Sequence, residues 1–119
     1  MSLKTTQFPP IIIADKTATI LTGQLKSEVV DLLGTVLVAL LTESAMLNNA
    51  SLTFETSVDG VTFFPAFNDA SIPLAISMQP NRHVALDITD FASLRFIKLV
   101  VDLTEGSDIV FRMLTRPAL

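Results

Sequence analysis

The chain's sole histidine, His83, is the first candidate for acid–base chemistry, and it stands in Pro80-Asn81-Arg82-His83 beside a turn signal. A catalytic base needs a nucleophile and an orienting acid converging on it, so a lone loop histidine reads as a solvated or packing residue. Ser44 and Ser57 lack the flanking glycines of a nucleophile elbow. Asp59, Asp69, Asp87 and Asp90 carry oxygen ligands of the kind calcium takes, but none falls in the alternating loop of an EF-hand. They read as turn formers and surface charge. Cysteine is absent, which excludes disulfides and thiolate metal sites and leaves the redox compartment open. These residues therefore assign no catalytic, cofactor-binding or metal site.

The remaining polar and aromatic residues point to packing. Arg95, Lys98 and Arg112 fall in strand-like segments, where long stems cover apolar surface while the charged heads stay in water. The aromatics are all phenylalanine, which argues against a sugar platform, since such platforms favour rings with a polar handle. Net charge is −4 with the Lys and Arg residues scattered, so no basic stripe exists to neutralise phosphates, and nucleic acid is excluded as a partner.

Short runs separated by turn signals must position these residues. Residues 1–10 end in Phe8-Pro9-Pro10 and read as an extended arm, because consecutive prolines fix φ and remove backbone donors. Phe8 could anchor that arm on a neighbour. Ile11-Ile12-Ile13 and residues 18–21 read as two strands, or one with a break at Asp15-Lys16. Residues 28–42 also fit a helical spacing, but Val29, Val30, Val36 and Val38 are β-branched and Gly34-Thr35 interrupts the middle, so two strands are expected. In the second, Val36, Val38 and Leu40 share one face and Leu37, Ala39 and Leu41 the other. Such a strand is covered twice, by its own core and by another layer or subunit.

The clearest alternation runs over residues 51–58 and ends at Asp59-Gly60, a strong turn signal. Leu52, Phe54 and Val58 are expected in the core, with Phe96 opposing them. Residues 61–67 form an aromatic strand that Pro65 marks as an edge or bulge. Residues 72–78 and 84–88 alternate again, Thr89 is expected to cap one helical turn, and strands follow at 94–102 and 108–115. Seven to nine short strands in 119 residues imply a single all-β domain, 11–119, built as an antiparallel β-sandwich or jelly roll behind the arm.

Half the residues are hydrophobic and mean hydropathy is +0.56, which is high for a domain with so much surface to keep wet. Either the core is dense, or apolar area faces another subunit; the second reading is preferred because large exposed patches are rare on monomers. The longest apolar run, residues 32–41, falls short of the roughly 20 residues that span a bilayer, so no membrane association is expected. Residues 1–10 lack the apolar segment of a signal peptide, which argues against export by that route.

The segment Ala50-Ser51-Leu52-Thr53-Phe54-Glu55-Thr56-Ser57-Val58-Asp59-Gly60-Val61-Thr62-Phe63 resembles a strand-turn-strand pattern of small tailed-bacteriophage virion proteins. Those proteins continue in forms similar to Asn81-Arg82-His83-Val84-Ala85-Leu86-Asp87 and Phe91-Ala92-Ser93-Leu94-Arg95-Phe96-Ile97-Lys98-Leu99, so the likeness spans about residues 35–101. The chain departs from them in carrying Met46-Leu47 where they have tryptophan, and residues 102–107 in place of a Gly/Ser-rich loop. The strand-turn-strand is also similar to discoidin-type C domains and other galactose-binding-like sandwiches.

The phage resemblance implies a structural virion protein, a capsid-decoration or cement protein assembled in the host cytoplasm. Its partners would be the major capsid protein or other virion subunits and further copies of itself, with no cofactor and no reaction. The second likeness implies instead a receptor- or carbohydrate-binding module of a tail or baseplate. The interface residues expected are Phe8, Pro9 and Pro10 of the arm and Val36, Val38 and Leu40 of the doubly apolar strand.

Overall fold

The computed structural model describes residues 14–42, 50–104 and 106–117. Alternating small polar and apolar residues make β1 (Ala14–Ile20) one strand that runs unbroken through Asp15 and Lys16, with Ala18 and Ile20 buried. A two-residue strand, β2 (Val30–Asp31), then leads through a tight turn into β3 (Thr35–Leu41). Leu33 and Gly34 both have positive φ there, at 37° and 74°. The Asp31 carboxylate accepts the Leu33 N–H at 2.9 Å and holds the turn. Residues 28–42 are thus two strands rather than a helix.

β4 (Ala50–Ser57) is followed by the two-residue β5 (Phe64–Pro65), β6 (Ala75–Met78) and β7 (His83–Ala85). One helical turn, α1 (Ile88–Phe91), is capped by Asp87, which accepts the Thr89 N–H; the expected cap at Thr89 is one of the groups being capped. β8 (Phe96–Val101) and β9 (Ile109–Pro117) complete the chain order. Among the described residues no helix is long and apolar enough to cross a membrane.

The protein is all-β, with two antiparallel sheets ordered β1-β9-β3-β7 and β2-β8-β4-β5, and β6 also paired to β4. The pairing is nested: β1 pairs with β9, β2 with β8, β3 with β7 and β4 with β6. Both sheets feed one hydrophobic cluster, in which Ile20, Leu37, Leu40, Phe111 and Met113 of the first sheet share a core with Leu52, Phe54, Ile97 and Leu99 of the second. Phe54 meets the Phe91 ring edge-on at 5.1 Å, which ties α1 to that core.

Three expectations are corrected. In β3, Leu37 lies opposite Thr115 and Ala39 opposite Leu114, so Val38 is an extra residue in a β-bulge. The bulge resets the alternation, and Leu37 and Leu40 share the inner face. Val36 and Leu40, expected on a face offered to a second subunit, are 4% and 0% exposed in the chain's own core, while Val38 is half-buried. Val58 is not core, because β4 ends at Ser57 and the backbone turns before it. Phe96 is half-buried on the outer face, because the inward set of β8 is Ile97, Leu99 and Val101. Phe8, Pro9 and Pro10 lie outside the described residues.

Candidate functional site

Large apolar side chains stand in solvent along one margin of the second sheet. Among the described residues, five of the eleven exposed large hydrophobics, Val58, Val61, Phe64, Phe67 and Ile72, fall in the stretch that joins β4 to β6 through β5. Val58 is 92% exposed, Val61 82% and Phe64 62%. Scattered single residues of this kind are ordinary; here five fall in one stretch of chain.

This margin is rigidly built. The Ser57 hydroxyl donates to Asp59 Oδ1 at 2.8 Å and accepts the Gly60 N–H at 2.9 Å. Asp59 Oδ1 also accepts the N–H groups of Val61 and Thr62 at 2.8 and 2.9 Å. These bonds, led by the one from Thr62, hold the Asp59 carboxyl down to about 2. Gly60 has φ +81°, and a Cβ there would stand 3.5 Å from the Phe96 ring. The turn therefore presents Val58 and Val61 outward on a fixed backbone. Next to it, Lys98 Nζ lies 4.5 Å from the Phe63 ring centroid and Arg95 stacks 4.7 Å over Phe96. Arg95 also pairs with Asp31 at 3.2 Å, which lowers the Asp31 pKa through the bond to the guanidinium.

The other residues with chemical potential are dispersed. His83 is exposed on β7 and lines a shallow recess with Arg82 and Arg112. Arg112 pairs with Asp15 across the β1–β9 ladder. Asp87 is a helix cap, and its bonds to Thr89 lower its pKa. Ser57 is committed to the Asp59 turn, and Ser44 lies outside the described residues. Among the described residues no group of three or more His, Cys, Asp or Glu could hold a metal ion.

A second feature is a cleft of about 510 Å³ on the side where β6 and β7 end the two sheets. Ala75 and Ser77 stand on one wall, Val84 and Ala85 on the other, and Leu74 and Phe91 reach it from the core. Asp87 and Asp90 also line it. Sequence reasoning missed both the exposed margin and the cleft. The first carries a readable signal, since Ser57, Asp59 and Gly60 stop the strand before Val58; the second depends on which strands become edges.

No protein-family model, no curated protein and no solved structure matches this chain.

Proposed function

We propose that this chain is a jelly-roll structural protein of a tailed-phage virion, which attaches to the assembled capsid and stabilises it without catalysing a reaction. The nested pairing supports the jelly-roll reading, since an antiparallel ribbon wound into two facing sheets pairs its outermost strands, then the next, and so inward. Sandwiches of this kind serve viral capsids and lectins alike, so the fold by analogy does not choose between them. The virion setting comes from the phage-like segments around Ser57-Asp59-Gly60 and Arg95 to Lys98.

The observation that carries attachment is the apolar margin of Val58, Val61, Phe64, Phe67 and Ile72, held on a hydrogen-bonded turn. Preorganised apolar groups bind with little ordering cost. Affinity for the assembled shell but not for its free subunits shifts assembly by mass action, and repetition over a lattice multiplies modest contacts.

The test follows a tagged copy through gradient purification of virions. The protein is expected to band with intact particles, and the double variant Val58→Asp/Phe64→Ser to lower its occupancy at least roughly tenfold with little change in its own Tm. Absence from particles, or full occupancy by the variant, overturns the reading. Binding on a glycan array together with absence from particles would instead establish the receptor-binding alternative.

A further inference from the structure

We infer that the cleft between β6 and β7 is a strand-acceptor site, filled by the amino-terminal segment of a second copy of this chain. The inference goes beyond shell attachment and does not depend on it.

The cleft is lined by free backbone. In the β3–β7 ladder Leu86 N–H donates to Val38 O at 3.0 Å and Thr42 N–H donates to Arg82 O at 2.8 Å. Antiparallel ladders alternate, so Val84 faces β3, while Ala85, which lines the cleft, turns its N–H and C=O groups to the open side. On β4, Asp102 N–H donates to Ser51 O toward β8 and Ala66 N–H donates to Phe54 O on the opposite side. Leu52 shares the parity of Phe54 and lies opposite Ile76, so Ile76 is bonded to β4 and the outward groups of β6 are those of Ala75 and Ser77. Both sheets thus present hydrogen-bonding edges along one cleft, over an apolar floor.

These edges also lack charge and proline within the strands themselves. Natural sheets protect exposed edges with charges, proline or very short strands. β1 carries Asp15 and Lys16, β2 is two residues long with Asp31, and β5 holds Pro65. Neither β6, Ala-Ile-Ser-Met, nor β7, His-Val-Ala, has a Lys, Asp, Glu or Pro.

The occupant follows from what precedes β1. Residues 1–13 include the proline-free run Leu3-Lys4-Thr5-Thr6-Gln7-Phe8, which can supply both N–H groups and an apolar anchor. Their only charged side chain is Lys4, and the cleft holds Asp87 and Asp90. The segment joins the fold at Ala14, on the margin of the first sheet opposite to β7. Thirteen extended residues reach up to roughly 45 Å, enough to leave one copy and enter the next. Donor and acceptor lie on opposite margins, so copies join head to tail. Main-chain bonds to the cleft edges give affinity, and Phe8 over Leu74 and Phe91 gives the apolar contact.

The chain has no native cysteine, so introduced ones report contact without background. Two differently tagged full-length samples are mixed under mild oxidation, one carrying Thr6→Cys or Phe8→Cys, the other Ser77→Cys. Covalent dimers bearing both tags are expected with at least one arm position, and none when Val61→Cys replaces Ser77→Cys. Ala85→Pro removes an N–H that faces the cleft and spares the β3 ladder. It is expected to abolish the cross-link and lower the sedimenting mass, with Tm nearly unchanged. Should that variant fail to fold, deletion of residues 1–10 must lower the mass in the same way. A monomeric wild type at tens of micromolar overturns the inference. So does a cross-link formed only with another protein. An assembly unchanged by Ala85→Pro or by the deletion overturns it equally.

Discussion

Asp59 shows how much of this protein's exposed architecture rests on one carboxylate. Its Oδ1 receives the Ser57 hydroxyl and two backbone N–H groups, which is why its folded pKa is about 2 against a reference of 3.8. The folded state therefore binds this proton less readily than the unfolded chain. The stabilisation is fully present above about pH 4 and is lost as pH falls through about 2. The difference in Tm between wild type and Asp59→Ala is expected to be constant from pH 7 to 5 and to shrink towards pH 2. A gap of constant size down to pH 2 would show that the carboxylate does not hold the turn. The turn itself was legible from Ser57, Asp59 and Gly60, because Asp bonds its own backbone and Gly accepts positive φ. Its effect on Val58 was not, since alternation alone carries that residue on into the core. Leu52 and Phe54, five and three residues before Ser57, are in the core as their spacing predicts.

At the scale of the element, β3 separates what pattern can tell from what pairing decides. After Thr35, the residues Val-Leu-Val-Ala-Leu-Leu offer no polar position to set a register, so either parity is chemically acceptable. The bulge at Val38 is fixed by the partner β9, whose inward residues Met113 and Thr115 must face Leu40 and Leu37. Because the bulge returns Leu40 to the inner face opposite Met113, Leu40→Ala should empty a packed core position. The expected loss is about 2–5 kcal/mol, that of removing a buried leucine from a packed site, read as a fall in urea midpoint. A Leu40→Ala variant as stable as wild type would mean that Leu40 does not pack in the core. The division of residues 28–42 into two strands was legible for a local reason, since Gly34 and the β-branched residues on either side act without tertiary help. The shortness of β2 and β5, two residues each inside the runs expected at 28–42 and 61–67, was hidden, because so little pairing leaves no periodicity to read.

For the whole molecule, the count and spacing of short runs pointed to two antiparallel sheets around one core, and the structure has them. The apolar excess of the composition divides between that core and exposed side chains, of which the stretch from Val58 to Ile72 holds the densest group. Which margins were left bare could not be read beforehand, because an edge is defined by the absence of a neighbour and not by any residue. The nested pairing also sets an order of events in time. β9 lies between β1 and β3, and Ala14 meets Thr115 only when nearly all the intervening chain is in place. The most distant contacts close last, so refolding from urea should be slow for a domain of this size, on the order of milliseconds to seconds. During synthesis the first sheet lacks its central strand until β9 emerges, and β1 and β3 wait with open edges facing each other. A chain stopped at residue 108 is therefore expected to aggregate instead of folding partially. Soluble, cooperatively melting protein from that truncation would show that the second sheet folds on its own. Of the strands described, the one made last is the keystone of the first sheet, and a ribosome that stalls before it releases a sticky half-built sheet.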